Sequence, residues 1–135
     1  MNKLVGLPAI AAALCVGALG FAQNQETKRE PRTFSLECGG GDCVLLKGAP
    51  VTNGMRGGSV KLKPQESVGW HSTGENEEAL TILHGSGVAN IEGHADVPLH
   101  EKMLAYIPPN TRHNVTNTGN ESLEYVWIVA PAKTE

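Results

Sequence analysis

The sequence predicts an all-β domain, a sandwich or barrel, and three observations carry that prediction. Apolar residues come in short runs, clusters of Gly, Pro and Asn separate those runs, and no stretch holds a convincing helical period. The runs read as strands over 33–37, 43–47, 58–63, 66–72, 78–84, 86–92, 95–99, 103–107, 113–118 and 122–129. Turns are marked by Lys47-Gly48-Ala49-Pro50, Thr52-Asn53-Gly54, Lys63-Pro64, Gly74, Gly85, Gly93, Pro108-Pro109-Asn110 and Gly119-Asn120.

Alternation supports the individual strands. Ser59-Val60-Lys61-Leu62-Lys63 alternates polar and apolar, as a half-buried strand should. In the last strand Leu123, Tyr125, Trp127 and Val129 share one face and Val126 and Ile128 the other, which predicts cover on both sides. With only two Trp, two Tyr and two Phe in the chain, Val, Ile and Leu must fill most of the core. Many short strands at this spacing mean a sandwich or barrel. At 135 residues one domain is expected.

Residues 1–22 stand apart from that domain. Lys3 precedes the nearly all apolar or small run Leu4–Phe21, and Gly20-Phe21-Ala22 places small residues where a signal peptidase reads. A cleaved signal peptide, with a secreted or periplasmic product, is the expectation. The alternative is an uncleaved anchor, although about 18 residues is short for a spanning helix. Residues 23–32 (QNQETKREPR) read as a flexible linker, and the domain is expected over 33–135.

Export gives the remaining cysteines a meaning. Cys38 and Cys43 flank Gly39-Gly40-Gly41, which can turn tightly enough to join them. In an oxidising compartment they are expected to form a disulfide, and closing so short a loop contributes about 2 kcal/mol on the chain-entropy model. The functional alternative is a metal or redox pair, which usually shows a two-residue spacing or further ligands nearby. The full chain carries net charge −3, and loss of residues 1–22 with Lys3 makes it −4. Without a basic run, nucleic acid and anionic membrane surfaces are poor partners.

Candidate chemistry lies near the turns. His71 ends one strand, Glu78 opens the next on the face of Leu80 and Ile82, and His113 follows the Pro108-Pro109-Asn110 turn. Two imidazoles and a carboxylate from three strands suit a divalent transition metal and leave coordination positions open. His84 shares the face of Glu78, but six residues of strand is roughly 20 Å, too far for one metal to join both. His84 therefore reads as a rim residue, while His94 and His100 read as solvated. Glu77 is the rival to Glu78 if the register slips by one. Trp70 is expected to pack away from His71, and Tyr106 and Trp127 to belong to the core.

Across roughly residues 58–130 the sequence resembles the cupin superfamily. The first motif of that family reads here as His71-Ser72-Thr73, four residues, Glu78, six residues, Gly85. The second reads as Pro108-Pro109-Asn110, two residues, His113, three residues, Asn117. The resemblance implies a double-stranded β-helix, or jelly-roll, barrel with metal ligands at His71, Glu78 and His113. Thr73 stands where a fourth ligand, usually His, is expected, and strand alternation points it inward as a pocket residue. Gln65, Lys102 and Asn110 replace glycines of the family pattern.

The resemblance leaves the metal open among Mn, Fe, Ni, Cu and Zn. It implies a small oxygen-rich ligand and dioxygenase- or isomerase-like chemistry, without deciding whether the protein is an enzyme. The alternative is a non-catalytic exported module that binds a sugar or organic acid. A pocket that has lost its metal along with the fourth ligand is a further reading. Cupins often dimerise through their sheets, so a homodimer is an expectation too.

Overall fold

The computed structural model describes residues 29–133, so the expected signal peptide at 1–22 lies outside the described residues. Among the described residues there is no helix. Eight strands follow one another: β1 (Gly41–Lys47), β2 (Arg56–Leu62), β3 (Asn76–His84), β4 (Ser86–Ile91), β5 (Val97–His100), β6 (Leu104–Ile107), β7 (His113–Thr116) and β8 (Leu123–Pro131). They form two antiparallel sheets, a five-stranded one in the order β1-β2-β8-β3-β6 and a three-stranded one in the order β5-β4-β7. The apolar faces close on a core that includes Val60, Leu80, Ile82, Leu99, Ile107, Val115 and Leu123. This is the expected jelly-roll arrangement.

Register stacks the inner face of the large sheet into three rows. Arg56, Val129 and Glu78 form the first, Gly58, Trp127 and Leu80 the second, and Val60, Tyr125 and Ile82 the third. The rows run from polar at one end to apolar in the middle of the barrel. Gly58 is required by the second row, because a Cβ there would stand 2.9 Å from the Trp127 ring and closer still to the Cys43 carbonyl.

Two expected strands are not formed. Residues 33–37 have no ladder partner. The Cys38–Cys43 disulfide loop, with positive φ at Gly39, Gly40 and Gly41, carries this segment over the outer side of β2. There the Ser59 hydroxyl donates to the Leu36 carbonyl (3.0 Å), so Ser59 is buried although it points away from the core. Residues 66–72 make only isolated bridges, Ser67 with Thr116 and His71 with His113. Gly69 breaks that ladder, with φ of 91° and its N–H spent on the Asn114 side chain (2.9 Å).

Tyr106 is a correction, since it is exposed rather than core. Ala105 and Ile107 take the inward positions of β6, which leaves Leu104 and Tyr106 outside on an edge strand. Trp127 does pack against the core, and Val126 and Ile128 on the other face of β8 are half-buried. The far end of the barrel is tied by Asn117, which is fully buried. Its Nδ2 donates to the Leu62 carbonyl (3.0 Å) and the Glu121 carbonyl (2.8 Å), and its Oδ1 accepts from Gly119 N–H (2.9 Å).

Gln65, Lys102 and Asn110, the three residues standing in for family glycines, all keep positive φ, at 68°, 67° and 56°. The backbone has retained the glycine conformation while the side chain changed. For residues other than Gly and Asn the left-handed region costs about 1–2 kcal/mol. Gln65→Gly and Lys102→Gly are each expected to stabilise the fold by roughly 1 kcal/mol, offset in part by the freer unfolded chain. Asn110→Gly should change less. Urea unfolding midpoints compare the three directly.

Candidate metal centre

The first row of the barrel and the start of β7 bring the sequence-predicted residues together. His71 lies in the segment before β3, bridged by paired backbone hydrogen bonds to His113 (2.9 Å each). Their rings sit 4.3 Å apart, centroid to centroid. Glu78 on β3 reaches the same point, and one ligand atom from each of the three residues lies within 4.8 Å of the others. His71 is exposed, whereas Glu78 and His113 are buried.

Backbone carbonyls fix both rings. His71 Nδ1 faces the Gly69 carbonyl at 2.9 Å and His113 Nδ1 faces the Thr111 carbonyl at 3.1 Å. A carbonyl only accepts, so each Nδ1 carries the hydrogen, and in the neutral ring Nε2 keeps its lone pair. That is how a ligating histidine is usually oriented from behind.

The decisive contact is between Glu78 Oε2 and His113 Nε2. They approach to 3.1 Å, yet the pair is not aligned for a hydrogen bond, and both atoms are buried with no other partner. Buried polar atoms without partners are costly and rare, and each asks for an explanation. Two imidazole nitrogens and a carboxylate oxygen around one point form a donor set that fits a divalent transition metal. Burial alone disfavours the His113 imidazolium, but the adjacent Glu78 carboxylate and the Thr111 carbonyl outweigh it and raise its pKa.

The other expectations sort cleanly. Thr73 borders the cavity, but its hydroxyl donates to the Asn76 carbonyl (2.8 Å), within the turn that starts β3. Glu77, the rival to Glu78, accepts from the Tyr106 hydroxyl (3.2 Å) on the outer side. His84 lies at the other end of β3, between Glu101 (3.5 Å) and Glu121 (3.3 Å), as a rim residue. Trp70 is turned away from the cavity and carries the Arg112 guanidinium 5.4 Å from its ring.

The site opens into a cavity of about 200 Å³ whose apolar lining comes from Val60, Val68, Val115, Val129 and Trp127. Three lining residues escaped the sequence reading: Arg56, Asp42 and Tyr125. Asp42 accepts from the Trp127 indole N–H at 2.9 Å across 85 residues of chain. Burial pushes the Tyr125 phenol up, far from neutral pH. No local signal marks them; only the pairing of β1, β2 and β8 brings them to the cavity.

Comparison with known proteins agrees with this fold. A curated relative, the oxalate-binding protein of Thermotoga maritima, is 34% identical over 70 residues, which is 52% of this chain and 57% of that protein. The match thus spans little more than half of the relative's length. Among solved structures, a double-stranded β-helix protein from Klebsiella pneumoniae is 21% identical, with a TM-score of 0.64 over 78% of this chain and 95% of the other. A cupin protein from Bacteroides fragilis is 18% identical, with a TM-score of 0.61 over 80% and 88%. The model of the cupin domain family matches residues 58–129, more than half of the sequence. The chain belongs to the cupin family.

Proposed function

We propose that this chain is an exported cupin module that holds a divalent transition metal on His71, Glu78 and His113 and captures a small organic acid there. The observation that carries the proposal is the buried pair Glu78 Oε2 and His113 Nε2, 3.1 Å apart with neither atom in a hydrogen bond, with His71 completing the donor set. When bound, such a metal supplies Lewis-acid attraction for carboxylate oxygens, and activation of dioxygen if it is redox-active. The 200 Å³ cavity suits a ligand of few atoms. The oxalate-binding relative supports an organic acid as that ligand.

Capture is favoured over turnover by the rest of the lining. Beyond the His-Glu-His set, the described acid-base groups at the cavity are Asp42, already engaged by Trp127, and Tyr125, raised by burial. The raised Tyr125 phenol is not poised to move a proton at neutral pH. Val60, Val68, Val115 and Val129 keep the floor apolar, which strengthens polar contacts made at the donor set. The Cys38–Cys43 disulfide supports folding in an oxidising compartment.

Calorimetric titration with oxalate tests this, using metal-loaded and chelator-stripped protein. Binding is expected only with metal, with the acid recovered intact afterwards. Equal affinity without metal would overturn the proposal, and consumption of the acid would replace capture with catalysis.

A further inference from the structure

We infer that Arg56 is the specificity-determining residue of this cavity, receiving a second carboxylate of a short dicarboxylate whose first carboxylate sits at the His-Glu-His set; the inference rests on the metal reading above. Arg56 and Glu78 pair with the same residue, Val129, from opposite sides of β8. Arg56, Val129 and Glu78 therefore occupy one inward-facing row, and all three line the cavity. Neighbouring strands lie about 4.8 Å apart, which places the Arg56 and Glu78 backbones roughly 10 Å from each other. A guanidinium on one side and a carboxylate-held cation on the other leave room between them for a few atoms only.

Arg56 is exposed at the rim of the cavity, with its stem covered on one side. It lies against Gly48, where a Cβ would stand 3.2 Å from its Cγ. No described residue gives its guanidinium a hydrogen bond or an ion pair. Lys61 and Arg112, by contrast, are held by Glu124 (2.7 Å) and Glu92 (2.9 Å). Asp42 lines the same cavity, but it accepts from the Trp127 indole N–H and forms no ion pair with Arg56 among the described residues. An unpaired guanidinium at a cavity receives a carboxylate through two parallel N–H donors, a fit that lysine does not reproduce. Charge and size together select a small dianion over a neutral sugar or a long acid.

Wild type, Arg56→Gln and Arg56→Lys, each loaded with Zn²⁺ and checked for bound zinc, would be titrated with oxalate and with acetate. Arg56→Gln is expected to weaken oxalate binding by about tenfold or more, with zinc content and acetate affinity unchanged. Arg56→Lys should recover part of the loss. Equal oxalate affinity in wild type and Arg56→Gln, or an equal loss for acetate, would overturn the role of Arg56. Wild type that retains zinc yet binds no oxalate would overturn it as well, leaving the metal site standing. Wild type that retains no zinc would remove the metal reading itself and this inference with it.

Discussion

His113→Ala is expected to lower metal affinity by at least about a hundredfold while the barrel still folds. The ring is wholly buried, and its Nε2 is one of two unpartnered atoms aimed at the site. Removing it takes away a donor and leaves Glu78 buried without a counterpart. A lone buried carboxylate is costly and tends to take up a proton instead. The stability lost should be about 1–3 kcal/mol, from the orphaned Glu78 and the freed Thr111 carbonyl. His71→Ala should lose metal with a smaller stability cost, because His71 is exposed. Equilibrium dialysis for the metal, with thermal unfolding for the fold, separates the two effects. A metal affinity unchanged in His113→Ala would remove the buried ring from the site.

Asn117→Ala is expected to have the largest effect on stability, about 3 kcal/mol or more. Its side chain satisfies two carbonyls and one N–H, from Leu62, Glu121 and Gly119, and water cannot replace it without entering the barrel end. Its own backbone is also paired to the turn after β2, with Gln65 N–H donating to its carbonyl and its N–H donating to Glu66. One residue thus ties the turn after β2 to the turn before β8. Asn117→Asp keeps the acceptor for Gly119 but loses both donors, so it should fall between wild type and alanine or below alanine if the charge stays buried. Metal stoichiometry of the folded fraction should not change, because Asn117 lies at the opposite end of β7 from His113. Chemical denaturation with metal analysis would show whether the family's motif asparagine is structural here.

The strands were legible wherever turn residues bounded an alternating run, as in β2 to β4 and in β8. The reading failed where tertiary routing outweighed local pattern. Residues 33–37 have strand-like composition, but the disulfide loop lays them across β2 instead of beside a partner. Gly69 interrupts 66–72 by giving its N–H to a side chain 45 residues away. The convergence of His71, Glu78 and His113 was legible because motif spacing encodes strand ends, and strand ends meet at one end of a jelly roll. Arg56, Asp42 and Tyr125 were not, because their meeting depends on register between strands far apart in sequence. The replaced glycines show the converse: at Gln65 and Lys102 the residue type argues against the turn, yet the turn persists because the surrounding ladders hold it.

One metal ion is proposed to be held by the three side chains His71, Glu78 and His113, and elemental analysis of the purified protein tests that most directly. After reconstitution and desalting, wild type is predicted to keep about one transition metal ion per chain, and His71→Ala to keep almost none with an unchanged circular dichroism spectrum. Wild type that emerges from reconstitution with no bound metal would contradict it.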